Sequence, residues 1–104
     1  MRKAKVFVKG VAAGTLTEVI IGKEHVFEYL EGYIGPDVSH TMPEKEQIFK
    51  YYTFPPFFDG LLPEGIQLDI LLKLRKIDKN DYFSQLIAVG DDMAGVITVK
   101  EISE

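Results

Sequence analysis

Apolar and polar residues alternate along the first third of the chain, and glycines interrupt the alternation. Residues 5–9 (Lys-Val-Phe-Val-Lys) are β-branched and aromatic and stop at Gly10, a turn residue. Residues 15–21 alternate at first and end apolar, and Gly22-Lys23 separates them from a third such segment, 25–30. Short spacers between these segments predict an antiparallel meander in which each strand pairs with the next. Gly14, on the approach to the second strand, predicts a bulge or tight bend. Gly32, Gly35 and Pro36 mark a loop. Weaker strand patterns at 39–42 and 47–51 flank a polar turn at 43–46, so this half is expected to supply four or five strands.

The pattern then changes. Residues 51–66 (Tyr-Tyr-Thr-Phe-Pro-Pro-Phe-Phe-Asp-Gly-Leu-Leu-Pro-Glu-Gly-Ile) are crowded with apolar side chains yet hold three prolines and two glycines. Proline fixes φ and removes a donor, so no long helix or central strand runs through them. They predict a compact junction: an incoming strand, a short helical turn opened by Pro55-Pro56, a stop at Leu62-Pro63, and a new helix from about Glu64. Residues 64–77 lack internal Gly or Pro after Gly65 and are rich in helix formers. At about 100° per residue, Ile66, Ile70, Leu74 and Ile77 share one stripe. Leu68, Leu71 and Leu72 fall on a second sector, and Asp69, Lys73 and Lys76 share a narrow charged arc. Such a helix is apolar over more than half its surface, wider than one packed sheet face requires. Either the next helix covers the excess or another protein does.

Asn80 is the expected N-cap of that next helix, with Asp81 in its first turn. Tyr82, Phe83, Leu86 and Ile87 share a face, and Gly90 is the expected C-terminal stop. A turn at 91–94 leads to a last strand, 95–102. Strands, then helices, then a returning strand define an α+β fold. The expectation is a small antiparallel sheet of four to six strands, partly barrel-like, packed with two to three short helices.

Composition narrows the function. The 104 residues suit one domain, 1–104, and 46% hydrophobic with 27% charged residues is an ordinary globular balance. A net charge of −4 argues against sequence-independent nucleic-acid binding, which depends on phosphate neutralisation. With no cysteine there is no disulfide framework, thiolate metal site or thiol nucleophile. No segment has the length and apolarity of a membrane span or a signal peptide, so a cytoplasmic protein is expected. Candidate chemistry is sparse. His25 and His40 lie in separate segments and are expected to serve surface or packing roles. Ser39 and His40 are neighbours in a strand pattern and point to opposite faces, so they do not form a nucleophile–base pair. Gly22-Lys23 lacks the spacing of a phosphate loop. Asp91-Asp92 is expected to be a solvated turn, Asp59 a turn or cap, and Glu64 a first-turn helix charge. The aromatic run Tyr51, Tyr52, Phe54, Phe57 and Phe58 has no cationic groove beside it and is expected to pack in the core. No catalytic residue, cofactor site or metal site is expected.

Phe57-Phe58-Asp59-Gly60-Leu61-Leu62-Pro63-Glu64-Gly65 closely resembles the Phe-Phe-(Asp/Glu)-(Gly/Asn)-Leu-Leu-Pro-(Glu/Asp)-Gly signature of the small N-terminal subdomain of HipA-type serine/threonine kinases. Gly14-Thr15-Leu16 resembles the family's Val-Gly-x-Leu element, with Ala13 in place of the valine. Ser39-His40-Thr41-Met42-Pro43 resembles its Ser-x-Ser-(Met/Leu)-Pro strand. Residues 77–83 and 90–96 are similar to its later segments. The resemblance covers nearly the whole chain. The full-length kinases continue into a catalytic portion, whereas this sequence ends at Glu104 and holds no Gly-rich loop, Lys–Glu pair or catalytic-loop motif of its own. The resemblance therefore implies a stand-alone, non-catalytic HipS-like protein of a split, three-gene HipBST toxin–antitoxin system. Its expected role is to bind and inhibit a separate HipA-like kinase that lacks this subdomain. Leu61, Leu62, Pro63, Glu64, Gly65, Ile66 and Gln67 are the expected contact, with Ile66 directed at the kinase cleft. The alternative is an accessory subunit or co-repressor that supports the kinase or its helix-turn-helix DNA-binding partner. Neither reading involves direct nucleic-acid or membrane binding.

Overall fold

The computed structural model describes residues 1–91 and 96–102. Asp92 of the acidic pair, the rest of the expected turn at 91–94, Gly95 at the start of the expected last strand, and Ser103 lie outside the described residues. Strand β1 (Arg2–Val8) turns through Lys9 and Gly10 into β2 (Val11–Ile20), and β3 (Glu24–Tyr29) follows. Lys9 and Gly10 both have positive φ, 51° and 81°. That turn matches the right-handed twist of the strands it joins. A single 3₁₀ turn (Glu44–Glu46) precedes β4 (Ile48–Tyr51). The helices α1 (Pro56–Asp59), α2 (Gly65–Arg75) and α3 (Tyr82–Val89) come next, and β5 (Ile97–Ile102) closes the order.

The five strands form one antiparallel sheet in the order β4-β3-β2-β1-β5. The meander is as expected; β1 starts earlier than its apolar core because Arg2 and Lys3 already pair with Glu18 and Thr17, and β2 because Val11 and Ala12 pair with Val8 and Phe7. The bulge is also there. Val6 faces Gly14 while Phe7 faces Ala12, which leaves Ala13 as the extra residue. The weak segment at 39–42 is not a full strand but a lone bridge, Ser39 to Met42. A side chain does the work of a ladder there: the Tyr29 hydroxyl accepts from the Val38 N–H at 2.8 Å and donates to the Met42 carbonyl.

One face of the sheet carries Ala4, Val6, Val8, Leu16, Phe27, Tyr29 and Val99, all buried, with Phe58, Phe83 and Leu86 covering them. Two glycines set how closely these parts approach. A Cβ at Gly14 would lie 2.6 Å from the Phe27 ring and 2.7 Å from the Glu28 carbonyl oxygen. Gly90 ends α3 with an ordinary φ of −57°, so it is not a left-handed stop. It is glycine because a Cβ there would overlap the Val99 carbonyl. The Gly90 carbonyl accepts the Val99 N–H at 3.1 Å, tying helix to edge strand.

Two helix ends differ from expectation. Asp81, not Asn80, caps α3: its carboxylate accepts the Ser84 N–H at 3.1 Å, whereas the Asn80 N–H goes to the Asp78 carboxylate at 2.7 Å. Helix α2 stops at Arg75 because Lys76 turns left-handed (φ 54°), and the Lys76 and Ile77 N–H groups both reach the Leu72 carbonyl. Ile77 therefore leaves the stripe it would occupy on a longer helix and is half-buried. Among the described residues no helix is long and apolar enough to cross a membrane.

Replacing either close-approach glycine should force backbone and ring apart. Gly14→Ala and Gly90→Ala are each expected to destabilise the fold by about 1–3 kcal/mol. The check is a lower urea midpoint with an unchanged slope.

Candidate protein-interaction surface

The junction folds as a chain of overlapping turns. The Asp59 N–H bonds the Pro55 carbonyl, Leu61 bonds Phe58 and Leu62 bonds Asp59, all at 3.0–3.1 Å. Its aromatic residues hold it to the sheet. Phe58 is buried with its ring 5.9 Å from that of Phe27, and Phe54 meets His25 edge-on at 5.4 Å. Tyr51, Phe54 and Phe57 are half-buried against the core, while Tyr52 points outward, contrary to the core role expected of it. Pro63 is followed by Glu64 in an extended conformation and by Gly65 at φ +60°, a value that favours glycine. Glu64 stands just before the helix, not in its first turn, and its carboxylate forms no cap.

The residues expected to touch a partner divide here. Leu61 and Leu62 pack partly on the core and Pro63 is half-buried, while Glu64, Gly65, Ile66 and Gln67 are exposed. Helix α2 has no buried residue. Ile66 is 76% exposed, Ile70 52% and Leu74 77%. At about 100° per residue these three lie on the side of the helix opposite Leu68, Leu71 and Leu72, which are half-buried. Helix α2 thus has two apolar faces, one turned inward and one bare, and α3, which it touches, does not cover the outer one. Ile70 and Leu74 were absent from the expected contact, although the period that placed Ile66 also placed them.

A polar cluster anchors the start of α3 to the sheet. Arg2 reaches Glu18 Oε1 through Nε (2.7 Å) and Nη2 (2.6 Å), and Asp81 through Nη1 (3.3 Å) and Nη2 (3.0 Å). Its Nη1 also donates to the Ser84 hydroxyl at 2.8 Å, and that hydroxyl donates to Asp81 at 2.7 Å. The guanidinium lies 5.0 Å from the centre of the Phe83 ring. Partial burial alone would raise the Asp81 carboxyl, but bonds from Arg2 and Ser84 and the Arg2 charge outweigh it and hold the group below its ordinary value. Glu18 also meets His25, its cross-strand neighbour, with Nε2 at 3.3 Å from Oε2. His25 has the expected packing role and His40 is exposed, but the carboxylate beside His25 was missed. The signal was the β2–β3 register, which places Glu18 opposite His25. The Ser39 hydroxyl pairs with Thr41 at 3.0 Å. Among the described residues no three His, Asp or Glu side chains gather as a metal site.

Residues 4–100 match a family profile described as the HipA N-terminal domain. A protein of Haemophilus influenzae, described as an uncharacterized protein, is 32% identical over 101 residues, spanning 97% of this chain and 93% of that one. Among solved structures, the N-terminal domain of HipA toxin superposes with a TM-score of 0.78 at 30% identity, covering 100% of this chain and 95% of the other.

The depressed Asp81 carboxyl contributes stability above the ordinary carboxylate value of about 4, and this is lost as pH falls through the lower folded value. Asp81→Asn keeps a capping oxygen but removes the ion pair to Arg2. Its stability deficit, about 1 kcal/mol at pH 7 for a partly exposed pair, is expected to shrink as the pH is lowered towards 3. Urea midpoints of both proteins across that range are the measurement.

Proposed function

Because the chain belongs to the HipA N-terminal domain family, we propose that it acts as a non-catalytic regulator. In this reading it is the antitoxin of a split HipA-type system, binding and inhibiting a separate HipA-like serine/threonine kinase that lacks an equivalent domain. The observation that carries the reading is the bare outer face of α2. Ile66, Ile70 and Leu74 repeat every four residues, lie opposite the inward face, and are more than half exposed. Exposed branched side chains in a row are unfavourable in water and are the pattern by which an amphipathic helix enters an apolar groove. The contact on this reading runs through Leu61, Leu62, Pro63, Glu64, Gly65, Ile66 and Gln67 and continues to Ile70 and Leu74. Pro63 and the left-handed Gly65 hold Ile66 at the leading end of the helix before any partner arrives, which lowers the ordering cost of binding.

The test is co-purification with a HipA-like kinase that lacks an equivalent domain, followed by kinase assays with and without this chain. Ile66→Asp and Ile70→Asp are expected to leave the fold within about 0.5 kcal/mol of wild type, as exposed positions do. Each should weaken the complex by at least ~30-fold, the loss typical of an anchoring side chain at about 2 kcal/mol. A complex that survives both changes overturns the proposed contact. Faster phosphorylation on adding the chain overturns inhibition and leaves the accessory-subunit role.

A further inference from the structure

His25 is 1% exposed and Glu18 3%, so the bonds they form are made away from water. His25 Nδ1 lies 3.0 Å from the Thr53 carbonyl oxygen. A carbonyl oxygen only accepts, so Nδ1 carries a hydrogen. The other nitrogen, Nε2, faces Glu18 Oε2 at 3.3 Å. A bare nitrogen lone pair against a carboxylate oxygen is repulsive, so that contact too requires a hydrogen. Glu18 is already occupied as an acceptor: Oε1 takes Arg2 Nε and Nη2, and Oε2 takes the Gly22 N–H at 3.2 Å. We infer that His25 holds a proton on both ring nitrogens and works as a proton-dependent latch. In that state it ties Glu18 of β2 to Thr53 at the start of the aromatic junction.

Charge balance leads to the same arrangement. Arg2, Glu18 and Asp81 together carry one negative charge in excess, and a protonated His25 neutralises it. The other neighbours do not substitute for it. The Phe54 ring packs edge-on against the imidazole, and Tyr51 is opposite it in the β3–β4 register. Asp78 and Tyr82 line the cleft above and bring no positive charge. That cleft, about 470 Å³ and open to solvent, gives the buried proton an exit. When the proton leaves, Nε2 and Oε2 repel, and the two share a fixed backbone frame. The Thr53 end, held by one hydrogen bond and the Phe54 contact, is the end that yields. The latch belongs to this chain alone and does not depend on the kinase reading.

The test is ring-nitrogen NMR on the full chain labelled with ¹⁵N-histidine, from pH 6 to 9, beside backbone amide spectra. The expected result is hydrogen on both His25 nitrogens at pH 6, loss from Nε2 on going alkaline, and movement of the Thr53 and Phe54 amides with the same midpoint. Glu18→Gln, whose amide donates to a neutral Nε2, should leave the Thr53 and Phe54 amides unmoved across the same range. An Nε2 without hydrogen throughout, or a His25 titration that leaves residues 53 and 54 unmoved, overturns the latch. Both readouts come from the wild-type chain and do not require the variant to fold.

Discussion

The missing Cβ at Gly14 is the constraint from which the helical half takes its position. With no side chain on β2 at that point, the Phe27 ring lies across the strand, where a methyl group would otherwise stand 2.6 Å away. The surface so created receives Phe58, the one fully buried side chain of α1. Phe58 is flanked by turns that Pro55, Pro56 and Pro63 leave little freedom to vary. Seating one ring therefore fixes where the chain leaves the sheet and where α2 begins. Burying an aromatic side chain contributes about 2–3 kcal/mol, and here that contribution depends on a glycine more than forty residues upstream.

Helix α2 owes its exposure to the same geometry. It is held at its start by the junction and at its side by α3, whose own first turn is fastened to the sheet by Arg2 and Asp81. None of these contacts crosses the outer side of α2. A free-standing helix of 11 residues is marginal in water, so α2 persists because its inner leucines and its anchored neighbours hold it. The outer isoleucines add nothing to that. Their cost is tolerable in a folded monomer.

Much of this was legible in the chain and some of it was not, for identifiable reasons. Alternation, glycine turns and the proline junction located the strands and the breaks between helices, because those signals act over a few residues. The α3 cap was misplaced by one residue, since Asn80 and Asp81 are both capping types and the choice fell to Arg2, a residue 79 positions away that binds Asp81. The left-handed Lys76 cut α2 short of Ile77 without any glycine to announce it. The excess apolar surface of α2 was readable from its period, but not which face would stay bare. That depended on how the junction aims the helix. The Glu18–His25–Thr53 line was least legible, because it joins a cross-strand register to a loop packed from outside the sheet.

A domain that docks on a larger protein must satisfy two opposed demands. It must fold without the partner, which favours sealing every apolar side chain, and it must keep affinity, which requires leaving some unsealed. On the proposed reading, this chain separates the two spatially. The sheet face, the aromatic junction and the Arg2 cluster carry the fold with no buried side-chain polar atom left unpaired among the described residues. Among the exposed apolar residues, Ile66, Ile70 and Leu74 line one stripe on a helix that contributes no fully buried residue to the core. Substitutions at these exposed positions are therefore nearly free of consequence for folding. The same separation lets the residues of that stripe change while Gly14, Phe27 and Phe58 keep the helix in place.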